Sequence, residues 1–396
     1  MARKIRMGMV GGGEGAFIGA VHRIAANMDG QIELVCGAFS SDPQRCVESG
    51  KNLYLPATRC YDTYDQMMER EADLPADQRM DFVAIVTPNH LHFPVAAAAI
   101  RHGFHIMSDK PATLNLAEAL ELRALLQGSG LRYGLTHVYT GYPLVKEARA
   151  RVAAGELGTL RKVVVDYPQG WLADQQESKA NKQAEWRLDP ARAGVSSCMG
   201  DIGVHAFNLA EYVCGQTVTE ICADLASVVP GRTLDDDGTV LMRFDGGARG
   251  VLLASQISVG EENALKIRLY GDKAGLEWSQ QEPNTLLLKY NDRPAQLLRT
   301  AGPGLGDLAL ANSRTPAGHP EGYLEAFANL YRNFAQLLQC DLQELEPPSA
   351  ALDLPGVDEA VRGMAFIEQV VASAASENKW QPLLLRGRQG AAQAAK

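Results

Sequence analysis

Short, almost wholly apolar runs alternate with longer amphipathic segments over the first third of the chain. The run at 81–86 is apolar after its first residue, as in a parallel strand that is buried on both faces. The pattern predicts strands at 5–10, 33–39, 81–86, 104–107 and 132–136, with helices at 17–28, 43–50, 64–71, 94–102 and 116–127. Regular alternation of this kind is typical of a doubly wound parallel sheet.

Beyond Tyr139 the strand-like segments become longer and are joined by glycine-containing turns such as Asp245-Gly246-Gly247. Further strands are predicted at 160–167, 218–227, 239–244, 248–256, 265–270, 274–278 and 285–290, and helices at 144–154, 205–213, 322–340 and 357–373. This pattern favours an open, mainly antiparallel sheet with helices on one face, an α+β arrangement. We therefore expect two domains, at 1–137 and 138–385, followed by a loose Gln/Ala-rich tail at 386–396.

Composition and charge narrow the class of protein. A chain of 396 residues with 46% hydrophobic and 21% charged residues is expected to be globular and soluble. A net charge of −9 without an evident basic face argues against nucleic acid as a partner. The seven cysteines lack CxxC spacing, which fits reduced thiols better than disulfides or a zinc site. No signal-peptide or membrane-spanning run is visible, so we expect a cytoplasmic protein that does not bind membranes.

A glycine-rich loop at 11–19 follows the first predicted strand and opens the first helix. Glycines allow a tight turn and close approach of the backbone to a pyrophosphate, whose charge favours the amino end of the next helix. Gly11, Gly13 and Gly19 suit these roles if the loop is longer than the usual GxGxxG spacing. Such a loop is often a plain flexible turn, but its position favours a dinucleotide site of the Rossmann type.

The end of the second predicted strand bears on which nicotinamide dinucleotide would bind. In NAD-selective sites a carboxylate usually follows this strand and accepts hydrogen bonds from the adenosine ribose. Ser40 has that position in this chain, while Ser41 and Arg45 offer contacts to the 2′-phosphate of NADP. Asp42 could instead reach the ribose, or serve only as the N-cap of a helix that starts with Pro43. The pattern leaves NAD and NADP both open.

The strand at 81–86 ends in the turn Thr87-Pro88-Asn89-His90-Leu91-His92. Ligands of doubly wound sheets lie beyond the carboxyl ends of the strands, so this turn is expected to border the cofactor. Pro88 fixes the turn, and Asn89 offers amide donors. Thr87 and Asn89 could equally be turn formers before a helix, and packing is the simpler role for the two histidines.

Lys110 follows the strand predicted at 104–107, within Ser108-Asp109-Lys110-Pro111. Pro111 disfavours helical backbone geometry at the lysine. A lysine at this end of the sheet can donate a hydrogen bond to a hydroxyl or carbonyl oxygen at a reacting carbon. The alternative is an ordinary surface lysine, which is the commoner case.

In the second half of the chain, Asp201 and His205 stand four residues apart at a predicted helix start. At that spacing two side chains share a helix face. Alcohol oxidation needs a base for the hydroxyl proton; histidine titrates in the right range, and an aspartate can orient it or bind substrate. Taken alone, a capping Asp201 and a packed His205 would be the simpler explanation.

Five ordered segments together resemble the glucose–fructose oxidoreductase/inositol dehydrogenase (Gfo/Idh/MocA) family. The family pattern is a glycine loop followed by a histidine, then TPNxxH, then EKP, then WRxDP with a following AG, then DxGxH. The matching segments of this chain are 11–22, 87–92, 109–111, 186–190 with 193–194, and 201–205. Five motifs in this order are far more specific than any one of them, and they extend over most of the chain.

The resemblance implies an NAD(P)-dependent enzyme that transfers a hydride between the nicotinamide and a hydroxyl or keto group of a sugar, sugar derivative or cyclitol. It makes Lys110 the central catalytic residue, His205 the acid/base, and Asp201 its partner or a substrate ligand. The residues expected to contact the cofactor are Gly11, Gly13, Gly19, Ser40, Ser41, Arg45, Thr87, Pro88, Asn89, His92, Asp109 and Lys110. Those expected to contact substrate are Lys110, Tyr139, Arg187, Asp201, His205 and His319. His319 lies in a segment at 318–323 that is similar to one in sugar-acting members, and the family suggests a homodimer or homotetramer built through the second domain's sheet.

Three features depart from the family pattern: Asp109 in place of glutamate, Val195-Ser196-Ser197 in place of glycines, and the lengthened glycine loop. None of them removes a reactive group. Two other functions stay open, a non-catalytic dinucleotide-binding regulator and a glycosidase-type lyase that uses bound NAD in a redox-neutral cycle. A metal hydrolase using His90, His92 and His205 is the weakest alternative, since these histidines lack the spacing of a ligand set.

Overall fold

The computed structural model describes residues 3–176 and 182–383. These residues divide into two compact units, one within Met1–Pro143 and Asp307–Val357, the other within Leu144–Gly306 and Asp358–Lys396. The segment 307–357 therefore packs with the first unit, whereas the domain boundary expected from the sequence assigned it to the second. The tail predicted at 386–396 lies outside the described residues.

Strands and α-helices are numbered separately in chain order. The strands are β1 (Ile5–Gly11), β2 (Ile32–Ala38), β3 (Phe82–Val86), β4 (His105–Ser108), β5 (Tyr133–Leu135), β6 (Leu160–Pro168), β7 (Val218–Ala226), β8 (Asp237–Phe244), β9 (Arg249–Ser255), β10 (Lys266–Gly271), β11 (Ala274–Ser279), β12 (Thr285–Tyr290), β13 (Gln296–Arg299) and β14 (Trp380–Pro382). The α-helices are α1 (Phe17–Met28), α2 (Pro43–Asn52), α3 (Tyr64–Ala72), α4 (His92–Arg101), α5 (Leu116–Leu126), α6 (Pro143–Ala153), α7 (Lys182–Arg187), α8 (Pro190–Ala193), α9 (Val204–Cys214), α10 (Asp307–Ala311), α11 (Tyr323–Gln343) and α12 (Val357–Ala375).

The first unit contains a parallel sheet with the strand order β2-β1-β3-β4-β5. All five residues of β3 are buried, as its wholly apolar sequence predicts. The order reverses between β1 and β3, and in such sheets ligands bind beyond the carboxyl ends of the strands at this switch point. Gly11 at the end of β1 pairs with Val86 at the end of β3, so the glycine loop and the Thr87 turn start side by side.

α11 is part of the first unit because its apolar side chains pack on the parallel sheet and on α1. Phe334 and Tyr331 lie against Phe82 of β3, with ring centroids 5.2 and 6.4 Å apart. Phe327 packs edge-on against His22 of α1 at 4.7 Å. The periodicity of this segment predicts a helix but does not say which sheet the helix covers.

The second unit contains a mainly antiparallel sheet with the order β13-β12-β11-β10-β6-β9-β8-β7-β14. Strand β8 buries every second residue, the pattern of a sheet covered on one face. α9 packs on β6, β9 and β10, and its Phe207 stacks on Phe366 of α12 with centroids 4.3 Å apart. The predicted fold class, a doubly wound parallel sheet followed by an α+β domain, is confirmed.

One strand pair of this sheet is parallel, namely β6 and β9. Their carboxyl ends therefore lie at the same edge, where Gln256 follows β9. The sequence pattern did not predict this pairing, nor the short strands β13 and β14. Among the described residues no helix is long and apolar enough to cross a membrane, and no group of three His, Cys, Asp or Glu side chains is placed to hold a metal ion.

Candidate active site

The glycine loop joins β1 to α1 through the left-handed region of backbone conformation. Gly11, Gly12 and Gly15 have φ angles of +78°, +67° and +79°, which L side chains rarely adopt. A Cβ at Gly11 would also lie 2.5 Å from the carbonyl oxygen of Val86. The end of β1 therefore requires glycine for both conformation and space.

A second set of glycines lets the loop pack closely against its neighbours. A Cβ at Gly19 would lie 2.3 Å from the carbonyl oxygen of Gly12 and 2.4 Å from its Cα. A Cβ at Gly13 would lie 2.8 Å from the carbonyl oxygen of Phe39, just past β2. Gly12, which was not among the glycines predicted to contact the cofactor, is thus the partner of Gly19 in packing α1 on the loop.

The amino end of α1 fits a phosphate group. Its N-cap residue, Ala16, has no side-chain acceptor for the N–H groups of the first turn. Free backbone N–H groups and the positive end of the helix dipole favour an anion at such a position. Together with the bare glycine backbone, they make the loop suitable for the pyrophosphate of a dinucleotide.

Asp42, beyond the end of β2, is the N-cap of α2. Its carboxylate accepts hydrogen bonds from the backbone N–H groups of Gln44 and Arg45 at 2.9 and 3.2 Å. The Ser40 hydroxyl accepts one from Asp42 N at 3.1 Å. The Arg45 guanidinium donates to the carbonyl oxygen of Glu14 in the glycine loop at 3.4 Å. Of the two roles that the sequence left open for Asp42, the structure shows the cap.

His92 links the turn after β3 to the segment after β4. Its Nδ1 lies 2.7 Å from the carbonyl oxygen of Pro111, and its Nε2 lies 2.8 Å from that of Thr87. Burial lowers the pKa of His92, so the neutral ring donates to one of these oxygens at a time. This is the packing role considered from the sequence, and direct contact of His92 with the cofactor stays a prediction.

Asp109 holds the backbone at Lys110. Its Oδ1 accepts hydrogen bonds from Lys110 N and from the Thr136 hydroxyl, both at 2.8 Å. Burial by itself would raise the pKa of Asp109, but the electrostatic interactions with His22, Lys110 and His92 keep it well below its usual range. An ionised carboxylate therefore lies next to the lysine.

His137, which was not predicted from the sequence, also belongs to this cluster. It is buried just after β5, and burial together with the charge of Lys110 lowers its pKa to about 3. The imidazole is therefore neutral near physiological pH. Its position past the carboxyl end of a strand, like that of Thr87 and Lys110, is the signal that could have found it.

In the second unit, Asp201 lies in a π-helical turn, Met199–Gly203, that leads straight into α9. His205 is the second residue of α9 and is buried. Single π turns are frequent at functional sites. This turn is wider than an α-helical one. The rule that residues four apart share a helix face therefore does not apply to Asp201 and His205.

A hydrogen bond and an ion pair hold the carboxylate of Asp201. Gln256 donates from Nε2 to Oδ2 at 2.9 Å, and Arg187 Nε lies 3.3 Å from the same oxygen. Gln256 is fully buried, and the Arg187 guanidinium lies 4.3 Å from the ring centroid of Trp186. Gln256 was not predicted, because the parallel pairing that brings it to this edge cannot be read from the pattern.

Asp235 holds the segment Val195-Ser196-Ser197, which stands where many family members have glycines. Its two carboxylate oxygens accept hydrogen bonds from Ser197 N and Met199 N, both at 2.9 Å. The Ser196 hydroxyl accepts another from Gly200 N at 3.2 Å. The Ser196 side chain and the backbone of Ser197 therefore help to fix the entrance to the π turn.

Tyr139 and His319, both predicted to contact substrate, belong to the first unit. Tyr139 is buried in the 3₁₀ turn Val138–Gly141 and stacks on Tyr142 with centroids 6.3 Å apart. His319 is exposed in the loop before α11, with Nδ1 3.2 Å from the carbonyl oxygen of Pro316. Their contacts with substrate stay predictions.

Comparison with known proteins identifies the family. Residues 5–137 match the model of an oxidoreductase family with an NAD-binding Rossmann fold, and 145–277 match the GFO/IDH/MocA C-terminal domain. Uncharacterized oxidoreductase YfiI of Bacillus subtilis (strain 168) is 33% identical over 383 residues, which cover 96% of this chain and 97% of that one. The chain belongs to the Gfo/Idh/MocA family of oxidoreductases.

Solved structures of similar proteins have the same fold over nearly the whole Gfo/Idh/MocA chain. An inositol dehydrogenase homolog from Azotobacter vinelandii in complex with NAD+ is 35% identical, with a TM-score of 0.92 over 96% of this chain and 98% of that one. The same homolog with NADH and myo-inositol gives 34% and 0.89 at the same coverage. The family and the NAD-binding Rossmann domain predicted from the sequence are thus confirmed.

Proposed function

We propose that this family member is a nicotinamide-dependent dehydrogenase that oxidises a hydroxyl group of a cyclitol, sugar or sugar derivative, or reduces the corresponding ketone. The observation that carries the proposal is Lys110 beside the ionised Asp109, directly after β4 of a sheet whose glycine loop fits a dinucleotide. The Azotobacter vinelandii homolog with NADH and myo-inositol makes a cyclitol the first substrate class to test.

Lys110 and His205 are proposed to handle the oxygen and its proton. When bound, the cofactor supplies the acceptor or the donor of the hydride. In oxidation the carbon loses a hydride and its oxygen loses a proton. The Lys110 ammonium donates a hydrogen bond to that oxygen and stabilises its developing negative charge, while the His205 imidazole accepts the proton. In reduction His205 returns the proton to the oxygen.

Asp201 is proposed to accept hydrogen bonds from substrate hydroxyls. Gln256 and Arg187 hold one of its oxygens, so the carboxylate is oriented before substrate arrives. Hydrogen bonds to an ionised acceptor are stronger than neutral ones, which suits a substrate rich in hydroxyls. Arg187 then acts through Asp201, and Tyr139 and His319 are further proposed contacts.

The cofactor is proposed to lie along the carboxyl ends of β1 to β4. The glycine loop would hold its pyrophosphate, and Thr87, Pro88 and Asn89 would border its nicotinamide half. Ser40, Ser41 and Arg45 would meet the adenosine ribose. Steady-state kinetics with NAD and with NADP measure whether these three residues also admit a 2′-phosphate.

The test is Lys110→Ala, assayed by nicotinamide absorbance against a panel of cyclitols, sugars and their keto forms. We expect kcat to fall by about 10²–10⁴-fold, because a general acid–base or charge-stabilising group is removed. NADH binding, followed by fluorescence, should persist. Lys4→Ala, which changes an exposed lysine of the same unit, serves as the control.

Three outcomes would redirect the proposal. Near-wild-type turnover by Lys110→Ala would remove the lysine from the mechanism. Product formation without a net change in absorbance would favour the redox-neutral lyase. Tight NADH binding without turnover of any compound in the panel would favour the non-catalytic regulator.

A further inference from the structure

A buried chain of polar side chains in the first unit reaches Lys110, and two of its members, Tyr331 and His22, play no part in the mechanism above. It joins three elements: Tyr331 on α11, His22 on α1, and Asp109 after β4. The Tyr331 hydroxyl lies 2.7 Å from His22 Nδ1, and His22 Nε2 lies 3.9 Å from Asp109 Oδ2. The chain ends at Lys110, whose backbone N–H donates to Asp109 Oδ1 at 2.8 Å.

The chemistry of the three groups fixes where the protons lie. Burial, together with the charge of Asp109, raises the pKa of Tyr331 well above its ordinary value, so its hydroxyl keeps its proton. The Tyr331 hydroxyl donates to Nδ1, so the ring proton of His22 lies on Nε2, on the side of Asp109. At 3.9 Å this contact is electrostatic attraction rather than a hydrogen bond.

Aromatic packing holds the imidazole in this orientation. His22 is fully buried, and its ring lies edge-on to Phe327 and Tyr331 with centroids 4.7 and 5.8 Å away. Both aromatic residues come from α11. The part of the chain after residue 306 thus reaches the strand end that carries Lys110.

We propose that Tyr331 and His22 are positioning residues for Lys110 and act through the carboxylate of Asp109. Tyr331 orients His22, His22 keeps Asp109 charged, and Asp109 fixes the backbone from which the lysine side chain extends. The inference rests on the proposed function, because it takes Lys110 to work at the reacting carbon.

The proposal predicts a specific change in pH dependence. The titratable and charged groups that face Asp109 are His22 from α1, His92 from α4, His137 after β5, Tyr331 from α11 and the adjacent Lys110. Of the groups that lower the pKa of Asp109, His22 has the largest effect, whereas burial raises it. Without His22 the opposing effect of burial is less well balanced, so the pKa of Asp109 rises and the carboxylate takes up a proton at a higher pH. A variant without His22 should then lose activity as the pH falls, within a pH range where the wild type stays active.

The experiment compares kcat against pH for the wild type and four variants. His22→Leu should lower kcat by roughly 10- to 100-fold, the effect expected of a misplaced catalytic group. It should also add a loss of activity on the acid side of the pH profile. Tyr331→Phe should change the profile in the same direction. His22→Gln, whose amide N–H can face Asp109 as the imidazole N–H does, should restore most of the activity. Asp109→Asn should have a low kcat, but its kcat should not fall further at acid pH, because asparagine has no carboxyl group to titrate.

A double variant and a matched control sharpen the comparison. His22→Leu with Asp109→Asn should be no slower than Asp109→Asn alone, because both changes interrupt one chain. Tyr133→Phe is the control, because it removes another buried tyrosine hydroxyl of the same unit. It should leave the pH profile unchanged. Retained NADH binding in each variant shows that the first unit is folded.

The outcomes separate this inference from the proposed function. If His22→Leu and Tyr331→Phe keep the wild-type kcat and pH profile while Lys110→Ala is inactive, the positioning role is wrong and the proposed function stands. If the wild type turns over no compound in the panel, carbon-13 NMR titration of the Asp109 carboxyl in the full chain decides instead. An upward shift of that titration in His22→Leu would support the chain, and an unchanged titration would overturn it.

Discussion

The position of Gly19 requires glycine because the backbone of Gly12 leaves no room for a side chain. An added methyl group would have to enter the space held by the backbone of Gly12, which cannot move away as a flexible side chain can. Overpacking of this kind costs about 1–3 kcal/mol, and 1.4 kcal/mol is about tenfold in a binding constant. We therefore expect Gly19→Ala to weaken NADH binding by about tenfold or more, measured by fluorescence titration.

A substitution at the next residue distinguishes the effect of loop shape from the effect of helix stability. Ala20 is exposed on α1, so Ala20→Gly should cost up to about 1 kcal/mol of helix stability and leave NADH affinity unchanged. Equal affinity losses in Gly19→Ala and Ala20→Gly would mean that helix stability, and not the shape of the loop, controls binding.

At the residue scale, the position of a side chain could be predicted where the neighbouring sequence alone sets it. Lys110 and Asp109 follow a strand directly, so their place past the sheet could be predicted from the sequence. The family pattern includes His22, but its contact with Asp109 could not be predicted, and neither could that of Gln256 with Asp201, because each partner lies far along the chain. A single sequence carries no record of such contacts.

At the scale of elements, α2 tests the two interpretations of Asp42. The carboxylate caps two N–H groups, so Asp42→Ala should lower stability by about 1 kcal/mol, while Asp42→Ser should retain most of it. Urea unfolding measures this loss. The KM values for NAD and NADP should stay the same in both variants. A rise in the KM for NAD alone would show that Asp42 also reaches the ribose.

Element boundaries were predictable because the caps are local signals. Asp42, Thr63 and Asn115 each accept a hydrogen bond at the start of a helix, and the corresponding helices begin where the sequence predicted. The π turn before α9 was not predicted, since it depends on Asp235 binding the segment from outside. The parallel pairing of β6 with β9 is likewise a property of the assembled sheet.

At the scale of the whole molecule, the sheet of the second unit bears on assembly. Cys222, Leu241, Val251 and Val164 are cross-strand neighbours in one row, which we call the apolar row. In the single chain Leu241 is 42% exposed. A parallel row, Glu220-Arg243-Arg249-Lys162, is charged at every position. An apolar centre with a polar rim is typical of a protein–protein interface.

We expect a second copy of the chain to cover the apolar row, in keeping with the homodimer or homotetramer that the family resemblance implies. A twofold interface uses the same patch on both copies, so one substitution places two charges in it. Leu241→Glu should therefore reduce the mass measured by light scattering from a multiple of 42.8 kDa to that value. Leu125→Glu, an exposed leucine on α5 of the first unit, should leave the mass unchanged. A wild type that is already monomeric, or a Leu241→Glu protein that stays oligomeric, would show that copies of this chain do not associate through the apolar row.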